Sequence, residues 1–389
     1  MTRRRRVLIV QPSLQPPGGG NAPAAWMIQA LKDDHDVSVL TWHPVDLDPV
    51  NAYYGTSIAP GDITALEVPA AIRRPIDLLP TNTVLLKIAF VVRHTKRLMR
   101  DTPYDVVISG SNETDLGARS IQYVHYPRHL RPRPAFDLRW FHAFAPLLWG
   151  YYAACDRVMA FSPQRVPEAV TLANSGWTAD LIAKLYGSDV APRVLHPPVA
   201  VASAGREWAA RTDGFVCVGR IAPEKELERV IEIVETVRAQ IPAAHLHIVG
   251  NPGRRSYYRR ITSLVGARRQ WVTLHPDAPR RELFELLASH RYALHGMREE
   301  HFGIGPAEAV ASGCITFVPD GGGQVDIVGR EPQLLYSSVS DAVDKIVAVM
   351  RSPARQADVR KRLDERCDAY SAARFVETIR SVVDQVAAS

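Results

Sequence analysis

The sequence predicts an α/β protein with two Rossmann-like domains, each built on a parallel sheet covered by helices. Short apolar strands alternate with helical stretches in the first half of the chain, and the same alternation restarts in the second half. Such alternation is typical of βαβ units. The chain of 389 residues is also too long for one ordinary core. We therefore expect one domain over 1–200, a second over 201–371 and a terminal helical segment over 372–389.

The first half supplies five predicted strands and one clear connecting helix. Residues 7–10 form a continuous apolar run, as a strand buried on both faces requires, and a helical pattern follows over 22–32. The double proline Pro197-Pro198 and the small residues of 200–205 are typical of an interdomain linker. Residues 174–178 predict a helix start. The predicted strands of this half are 7–10, 37–42, 105–109, 121–125 and 157–162.

The second half repeats the pattern. Residues 227–240 predict a helix, because their apolar side chains recur with a period of 3.6 residues. Sheets of this kind bind ligands beyond the carboxyl ends of their strands, so binding residues are expected there. The predicted strands are 215–220, 245–250, 271–275, 292–295 and 314–318, and the final helical patterns are 341–350, 354–369 and 373–386.

Composition and charge limit the function classes. The formal net charge of +6 favours anionic partners such as a nucleotide, a pyrophosphate or a phospholipid. No nucleic-acid-binding motif accompanies the charge, so nucleic acid is not an expected partner. The four cysteines are far apart without metal-ligand spacing, which suggests thiols in a reducing compartment. The basic start is followed by an apolar run too short for a signal peptide, and we expect a cytoplasmic protein.

Two segments, 80–100 and 128–152, combine basic side chains with apolar or aromatic ones. Faces of this composition suit a membrane interface. They equally suit helices that pack on the sheet and keep their arginine heads in water. We favour the packed helices for both segments.

A glycine-rich loop, Pro16-Pro17-Gly18-Gly19-Gly20-Asn21, separates the first predicted strand from its helix. A loop of this kind at a helix start can accept a phosphate or bring the backbone close to a sugar. Because the loop lacks the GxGxxG spacing, a flexible turn explains it equally well.

The most informative stretch carries two glutamates, Glu300 and Glu308, with seven residues between them. An apolar run precedes the pair and helical residues follow it, so the pair brackets a strand–loop–helix junction. Gly303 and Gly305 let a ligand approach the backbone closely, and the helix start offers N–H groups to an anion. Taken alone, the pair is also consistent with a turn residue and a solvated helix residue.

Residues 300–309 read Glu-His-Phe-Gly-Ile-Gly-Pro-Ala-Glu-Ala and resemble the signature of the family-4 retaining glycosyltransferases of GT-B fold. The resemblance covers nearly the whole chain. It implies parallel sheets that face each other across a cleft, with an acceptor domain first and a nucleotide-sugar domain second. It also implies that the last helix packs back on the first domain. In this family the residue matching Glu300 contacts the donor sugar, and the one matching Glu308 holds the nucleotide ribose. The donor would also lie against Phe302, Gly303 and Ile304.

Residues 219–225 match the diphosphate motif of the same family, Gly-Arg-x-x-x-Glu-Lys. The resemblance therefore assigns Arg220 and Lys225 to the diphosphate, with arginine as a fork and lysine as a point charge. It places His125 near the reacting sugar, and it turns the loop with Gly19 and Gly20 toward the donor. Residues 321–323 resemble the family loop that supports the diphosphate. Without the resemblance, the cations would be a surface pair and His125 a structural histidine.

Three short stretches, 123–127, 174–178 and 300–305, resemble a subgroup, the mannosyltransferases that extend the dolichol-linked oligosaccharide on the cytosolic face. This resemblance implies GDP-mannose as the donor, a lipid-linked hydroxyl acceptor and a peripheral contact with the inner membrane face. Residues 251–255, in the donor-base region, match no pattern, so a UDP-hexose is the alternative donor.

A sugar-nucleotide binding protein without transfer activity is the alternative from another class of protein. Such a protein would have no need to keep all four charged residues, Arg220, Lys225, Glu300 and Glu308. An epimerase or phosphorylase of the same fold is disfavoured, because neither added acid residues nor a pyridoxal-lysine motif is present.

No cofactor and no metal is predicted. The single Asp-x-Asp pair, Asp46 and Asp48, lies far in sequence from the glutamates and is interpreted as part of a solvated loop. Arg220, Lys225 and helix starts can neutralise a leaving diphosphate without a metal.

Overall fold

The computed structural model describes residues 4–79, 83–131, 144–187, 189–199 and 206–388. The chain divides into two compact units. The first comprises Met1–Pro198 with Ala372–Ser389, and the second comprises Val199–Ser371. The linker predicted over 200–205 and residues 132–143 of the aromatic segment lie outside the described residues.

The first unit contains a seven-stranded sheet in which every neighbouring pair is parallel. Its strands and helices in chain order are β1 (Arg6–Val10), α1 (Ala22–Leu31), β2 (Asp36–Thr41), α2 (Leu47–Tyr54), β3 (Ile63–Glu67), α3 (Ala70–Asp77), α4 (Val84–Asp101), β4 (Val106–Ser109), β5 (Ser120–Val124), α5 (Ala145–Met159), β6 (Val170–Ala173), α6 (Gly176–Tyr186) and β7 (Arg193–Val194).

The strand order is β3-β2-β1-β4-β5-β6-β7, so the direction of winding reverses between β1 and β4. The apolar run of β1 lies at the centre, and Val7, Leu8 and Ile9 are fully buried. A strand with neighbours on both sides and helices on both faces has no solvent-facing side, which explains the unbroken apolar sequence.

The second unit contains a six-stranded parallel sheet of order β10-β9-β8-β11-β12-β13. The winding reverses between β8 and β11, which is the same arrangement as in the first unit. Its elements are β8 (Thr212–Val218), α7 (Leu227–Arg238), β9 (His245–Gly250), α8 (Arg255–Gly266), β10 (Val272–Pro276), α9 (Arg280–Ser289), β11 (His290–Leu294), α10 (Ile304–Ala311), β12 (Ile315–Pro319), α11 (Gln324–Ile327), β13 (Leu335–Tyr336), α12 (Val339–Met350) and α13 (Pro353–Asp364).

The last helix, α14 (Ala372–Ala388), belongs to the first unit although it follows the second in sequence. Its apolar side chains recur at helical spacing and join the core beside α1. The buried members of α14 are Phe375, Ile379, Val382, Val383 and Val386.

The strand predicted over 157–162 is wrong, because these residues end α5 and the turn that follows it. Tyr152, Cys155 and Met159 are buried at helical spacing, so one face of α5 packs into the core. Ala160, with φ 49°, then ends the helix. A short apolar run does not by itself distinguish a strand from the end of a helix.

Three smaller predictions also need correction. Strands β3, β6, β7 and β13 have no counterpart among the predicted strands, since β3 is only partly buried and the other three have two to four residues. The helix expected over 354–369 ends at Asp364, and a 3-10 turn, Cys367–Tyr370, follows. The Asp46–Asp48 pair, interpreted as part of a loop, lies at the start of α2. Asp46 caps α2, because its carboxylate accepts a hydrogen bond from the backbone N–H of Asp48 at 3.2 Å.

None of the helices in the described part of the chain has the length and apolar character needed to cross a lipid bilayer. The four cysteines are free thiols, and Cys217 lies within β8.

Candidate functional site

A cluster of charged side chains in the second unit follows β8 and β11, the two strands between which the winding reverses. Lys225 ends a 3-10 turn that follows β8. His295 follows β11 directly, and Glu300 lies in the loop between β11 and α10. Ligands of such sheets bind at this reversal, beyond the carboxyl ends of the strands.

Glu300 is the centre of this cluster. Its Oε2 forms an ion pair with Nζ of Lys225 and lies 3.1 Å from Nε2 of His295. The Lys225 ammonium also lies 3.5 Å from the sulfur of Met297. The side chains of Lys225 and Glu300 are only 14% and 15% exposed, so water screens their attraction weakly.

The protonation states in the cluster follow from these contacts. Burial alone would raise the pKa of Glu300, but the Lys225 ammonium and the His295 ring outweigh it and hold that pKa well below its usual value. Burial lowers the pKa of His295, although the carboxylate of Glu300 partly offsets this. A neutral His295 that donates from Nε2 to an ionised Glu300 satisfies both shifts.

The backbone around Glu300 is tightly held. Its carbonyl accepts a hydrogen bond from the N–H of Gly323 at 2.7 Å, and a Cβ at Gly322 would overlap the Glu300 backbone. Gly322 also has φ 70°, a conformation that side chains disfavour. The glycines of 321–323 therefore position the loop that carries Glu300, and the Tyr336 hydroxyl donates to the carbonyl of His295 behind it.

Glu308 lies in α10, as predicted, but it does not join the Glu300 cluster in these contacts. Its side chain is buried, and Oε1 accepts from a guanidinium nitrogen of Arg280 at 2.7 Å. Burial raises the pKa of Glu308, and the Arg280 guanidinium offsets part of that shift. Gly303, with φ 103°, starts α10, where other residues would be strained. Phe302 is buried beside it in the core of the unit.

Arg220 has a different environment from Lys225. Its side chain is 69% exposed, and its guanidinium lies 2.8 Å from the Glu224 carboxylate. The two cations of the predicted diphosphate motif therefore differ. Lys225 is nearly buried beside Glu300, whereas Arg220 extends into water.

In the first unit, His125 follows the carboxyl end of β5 and is half-buried. Its Nε2 lies 3.3 Å from the carbonyl of Gly110, and its backbone N–H donates to the Asn112 side chain at 2.9 Å. Gly19 and Gly20 lie in a 3-10 turn that leads into α1, and a Cβ at Gly20 would meet open space. No packing requirement therefore explains a glycine at position 20.

Sequence reasoning identified Lys225 and Glu300 but assigned no role to their partners. His295 could have been identified, because it ends a predicted strand five residues before Glu300. Arg280 had no such signal, since it lies 28 residues from Glu308 and only the fold brings the two together.

Part of the chain is similar to a known protein family and to named relatives. Residues 206–366 match the family "Glycosyl transferases group 1". A GDP-Man:Man(3)GlcNAc(2)-PP-Dol alpha-1,2-mannosyltransferase of Neurospora crassa is 25% identical over 349 residues, which cover 76% of this chain and 59% of the relative. The protein of the same name from Homo sapiens is 26% identical over 239 residues, which cover 56% of this chain and 48% of the relative. The matches thus span about half the length of these relatives.

Solved structures show the same fold. The sucrose-phosphate synthase of Thermosynechococcus elongatus superposes with a TM-score of 0.71 at 17% identity, covering 99% of this chain and 100% of that one. Anabaena HepE in complex with UDP superposes with a TM-score of 0.67 at 13% identity, covering 98% of this chain and 100% of that one. The predicted fold class is therefore confirmed. The chain has the GT-B fold of two parallel-sheet α/β domains, and its residues 206–366 are similar to the glycosyl transferases group 1 family.

Proposed function

We propose that this chain is a retaining, metal-independent glycosyltransferase of family 4. It would transfer a hexose, with mannose as the first choice, from a nucleotide diphosphate sugar to a hydroxyl group. The observation that carries the proposal is the Lys225–Glu300–His295 cluster beyond the carboxyl ends of β8 and β11. The matched family supports the reaction class, and the mannosyltransferase relatives support the sugar.

In the proposed reaction, Glu300 accepts hydrogen bonds from hydroxyl groups of the donor hexose. An ionised carboxylate is the stronger acceptor, and the contact with Lys225 keeps Glu300 ionised. His295 and the glycine loop limit the movement of Glu300 before the donor arrives. This preorganisation supports binding without a large cost for ordering the side chain.

Lys225 and Arg220 would act on the diphosphate. As the bond between the anomeric carbon and the phosphate oxygen breaks, negative charge develops on the leaving diphosphate, and the two cations stabilise it. The acceptor hydroxyl forms the new bond on the same face, and its proton passes to the leaving diphosphate. Because the exposed Arg220 has only Glu224 as its ion-pair partner among the described contacts, it can reorient toward a phosphate.

Glu308 would hold the ribose, with Arg280 fixing the orientation of its carboxylate. We propose GDP as the nucleotide because the curated relatives are named for GDP-mannose, whereas the structurally similar HepE binds UDP. The proposed acceptor is a lipid-linked hydroxyl, met at the cytoplasmic face of a membrane, since the relatives are named for a dolichol-linked oligosaccharide. His125 is proposed to lie near the anomeric carbon, on the basis of the resemblance of 123–127.

Calorimetric titration of the full chain with GDP, UDP, GDP-mannose and UDP-glucose tests the donor. GDP and GDP-mannose should bind more tightly than their uridine counterparts. The reverse order would assign the enzyme to UDP-hexose, and absence of binding to all four would contradict the proposal.

Transfer itself is tested by GDP release from GDP-mannose in the presence of a short-chain lipid-linked oligosaccharide. Lys225→Ala and Arg220→Ala should each cost about 2–4 kcal/mol of transition-state stabilisation, the size of one lost electrostatic donor. Arg351→Ala, a change at the exposed arginine that follows α12, serves as the matched loss of one positive charge. Donor binding without turnover across a panel of acceptors would favour the sugar-nucleotide binding protein instead.

A further inference from the structure

Three histidines meet on one face of the second sheet, away from the cluster described above. His245 and His247 lie two residues apart on β9 and therefore point to the same face. His290 begins β11. One ring nitrogen from each of the three lies within 4.8 Å of the others.

Gly214 makes this meeting possible. It lies in β8, the strand between β9 and β11, and pairs with His245. A Cβ at position 214 would overlap the rings of both His245 and His290. The missing side chain thus leaves a space over the middle strand, and imidazoles from the two flanking strands fill it.

The hydrogen bonds of His245 and His290 determine which nitrogen carries the proton. Nδ1 of His245 lies 3.1 Å from the carbonyl of Ala243, and Nδ1 of His290 lies 2.7 Å from the carbonyl of Leu286. A carbonyl only accepts, so both Nδ1 atoms carry hydrogen. In neutral rings each Nε2 atom then carries no hydrogen and presents a lone pair, and these two atoms are 3.1 Å apart. Two lone pairs facing each other repel unless a proton or a metal ion lies between them.

His247 is oriented by a relay of two further groups. Nδ1 of His275 lies 2.8 Å from the carboxylate of Glu282, so this nitrogen donates and Nε2 of His275 carries no hydrogen. Nε2 of His275 lies 2.9 Å from Nδ1 of His247, which must therefore donate the hydrogen bond. Nε2 of His247 then carries no hydrogen either and presents a third lone pair. A carboxylate behind a histidine is the usual outer support of a metal ligand.

These hydrogen bonds leave one nitrogen lone pair on each of the three neutral rings. A neutral imidazole nitrogen of this kind is the commonest metal ligand in proteins.

We propose that His245, His247 and His290 bind one divalent transition-metal ion of the zinc type through their Nε2 atoms. Two nitrogens at 2.0–2.1 Å from a tetrahedral zinc lie about 3.3 Å apart, close to the 3.1 Å between His245 and His290. All-imidazole ligands suit zinc, copper or nickel, and they do not suit magnesium or calcium. His245 and His247 are only partly buried, which gives the ion a path from solvent.

The ion would stabilise the fold and would take no part in the transfer of the hexose. His290 begins β11 and His295 follows its end, so a separation of five residues puts the two sites about 16 Å apart along the strand. A metal on His245 and His290 would connect β9 and β11 across β8. Its expected effect is therefore on stability.

The test uses the full chain without an added histidine tag, freed of metal by a chelator and then titrated with Zn²⁺ or Co²⁺. One equivalent should bind, the melting temperature should rise, and Co²⁺ should give the visible absorption of a tetrahedral site. His247→Gln should abolish the Co²⁺ spectrum, and His275→Gln should weaken Zn²⁺ binding by about 10–100-fold, as losses of outer support do. His43→Gln, a change at an exposed histidine of the first unit, is the control and should change nothing.

Two results would overturn the proposal. One is a wild-type chain that takes up neither ion. The other is a folded His247→Gln variant, checked by circular dichroism, that binds Zn²⁺ and Co²⁺ as the wild type does. If His247→Gln does not fold, the wild-type Co²⁺ spectrum and the graded effect of His275→Gln decide the question. Neither readout depends on the proposed transfer activity.

Discussion

At the scale of single residues, the two glutamates of one short stretch have opposite electrostatic environments. Glu300 is ionised by Lys225 and His295, which hold its pKa down, whereas burial raises the pKa of Glu308. The difference arises from the partners, since Glu308 has one guanidinium beside it and Glu300 has an ammonium and an imidazole. Different environments suggest different tasks.

We therefore expect substitutions of the two glutamates to have different effects on donor affinity and turnover. Glu308→Ala should mainly weaken donor affinity, by about ten- to a hundred-fold, because a lost hydrogen bond to a charged group costs about 1.5–3 kcal/mol. Glu300→Gln keeps the shape and loses the charge, so turnover should fall more than affinity. Donor dissociation constants and single-turnover rates for both variants measure this. If Glu300→Gln changed only donor affinity and Glu308→Ala changed only the rate, the two roles would be exchanged. If neither variant differed from the wild type, the glycosyltransferase proposal would be contradicted.

A second prediction concerns Glu113, a fully buried carboxylate of the first unit that lies 3.2 Å from His129. Burial alone would raise the pKa of Glu113, but His129 and Arg128 outweigh it and bring the pKa to about 2 from an ordinary 4.5. A depressed pKa contributes stability that is present above about pH 4.5 and is lost as the pH falls toward 2.

Glu113→Gln should therefore destabilise the protein by about 3–5 kcal/mol at pH 7, the cost of removing one charge from a buried ion pair. The difference from wild type should shrink as the pH falls below 4.5. Urea unfolding of both proteins between pH 3 and 7 measures it. Glu377→Gln, a change on the exposed side of α14, is the control. A difference that does not depend on pH would show that Glu113 acts through packing alone.

At the scale of elements, α5 has two faces of different character. Its inner face packs against α4 in the core through Cys155 and Met159, as the packed-helix interpretation expects. Its amino-terminal turns expose large apolar side chains, and Leu147 is 73% exposed. Arg131 stacks over the Tyr152 ring at 4.1 Å beside them. Apolar side chains next to a cation suit the surface of an anionic bilayer.

We predict that this end of α5 contacts anionic lipid. Wild-type protein should cosediment with vesicles that contain acidic phospholipid, and added salt should weaken the binding. The double variant Leu147→Gln/Trp149→Gln should bind less. Val194→Gln, a change at an exposed apolar residue of β7, should bind as the wild type does. If the wild type does not bind even at low salt, the outer face of α5 has another role and a water-soluble acceptor is favoured.

At the scale of the whole molecule, the proposed transfer site and the proposed metal site lie at opposite ends of β11 and should respond independently. Excess chelator should lower the melting temperature and leave the transfer rate unchanged at temperatures well below unfolding, because Arg220 and Lys225 supply the positive charge for the leaving diphosphate. A rate that collapses with chelator and returns with Mn²⁺ would contradict metal-independent transfer. The comparison requires both measurements on the same preparation.

Much of the fold follows from local pattern. The continuous apolar run of β1 and the helical spacing of α7 identify their elements, since burial requires those periods. Local pattern fails where tertiary contacts decide. Residues 157–162 are apolar enough for a strand, but packing of Cys155 and Met159 keeps the first of them in α5. Strand β6 is four residues long, and it exists because β5 and β7 pair with it.

The sequence by itself determined that the chain is α/β and that it contains two Rossmann-like halves, because the spacing of these features is local. Its resemblance to a family is what pointed to Glu300 and Lys225 as site residues. Only the tertiary structure decided which groups meet. Lys225 and Glu300 are 75 residues apart, and the parallel sheet brings them together by aligning the ends of β8 and β11. The histidine cluster depends equally on strand order, since His245 and His290 meet only because Gly214 lies between them. Contacts between distant residues follow from register and strand order, which no local period encodes.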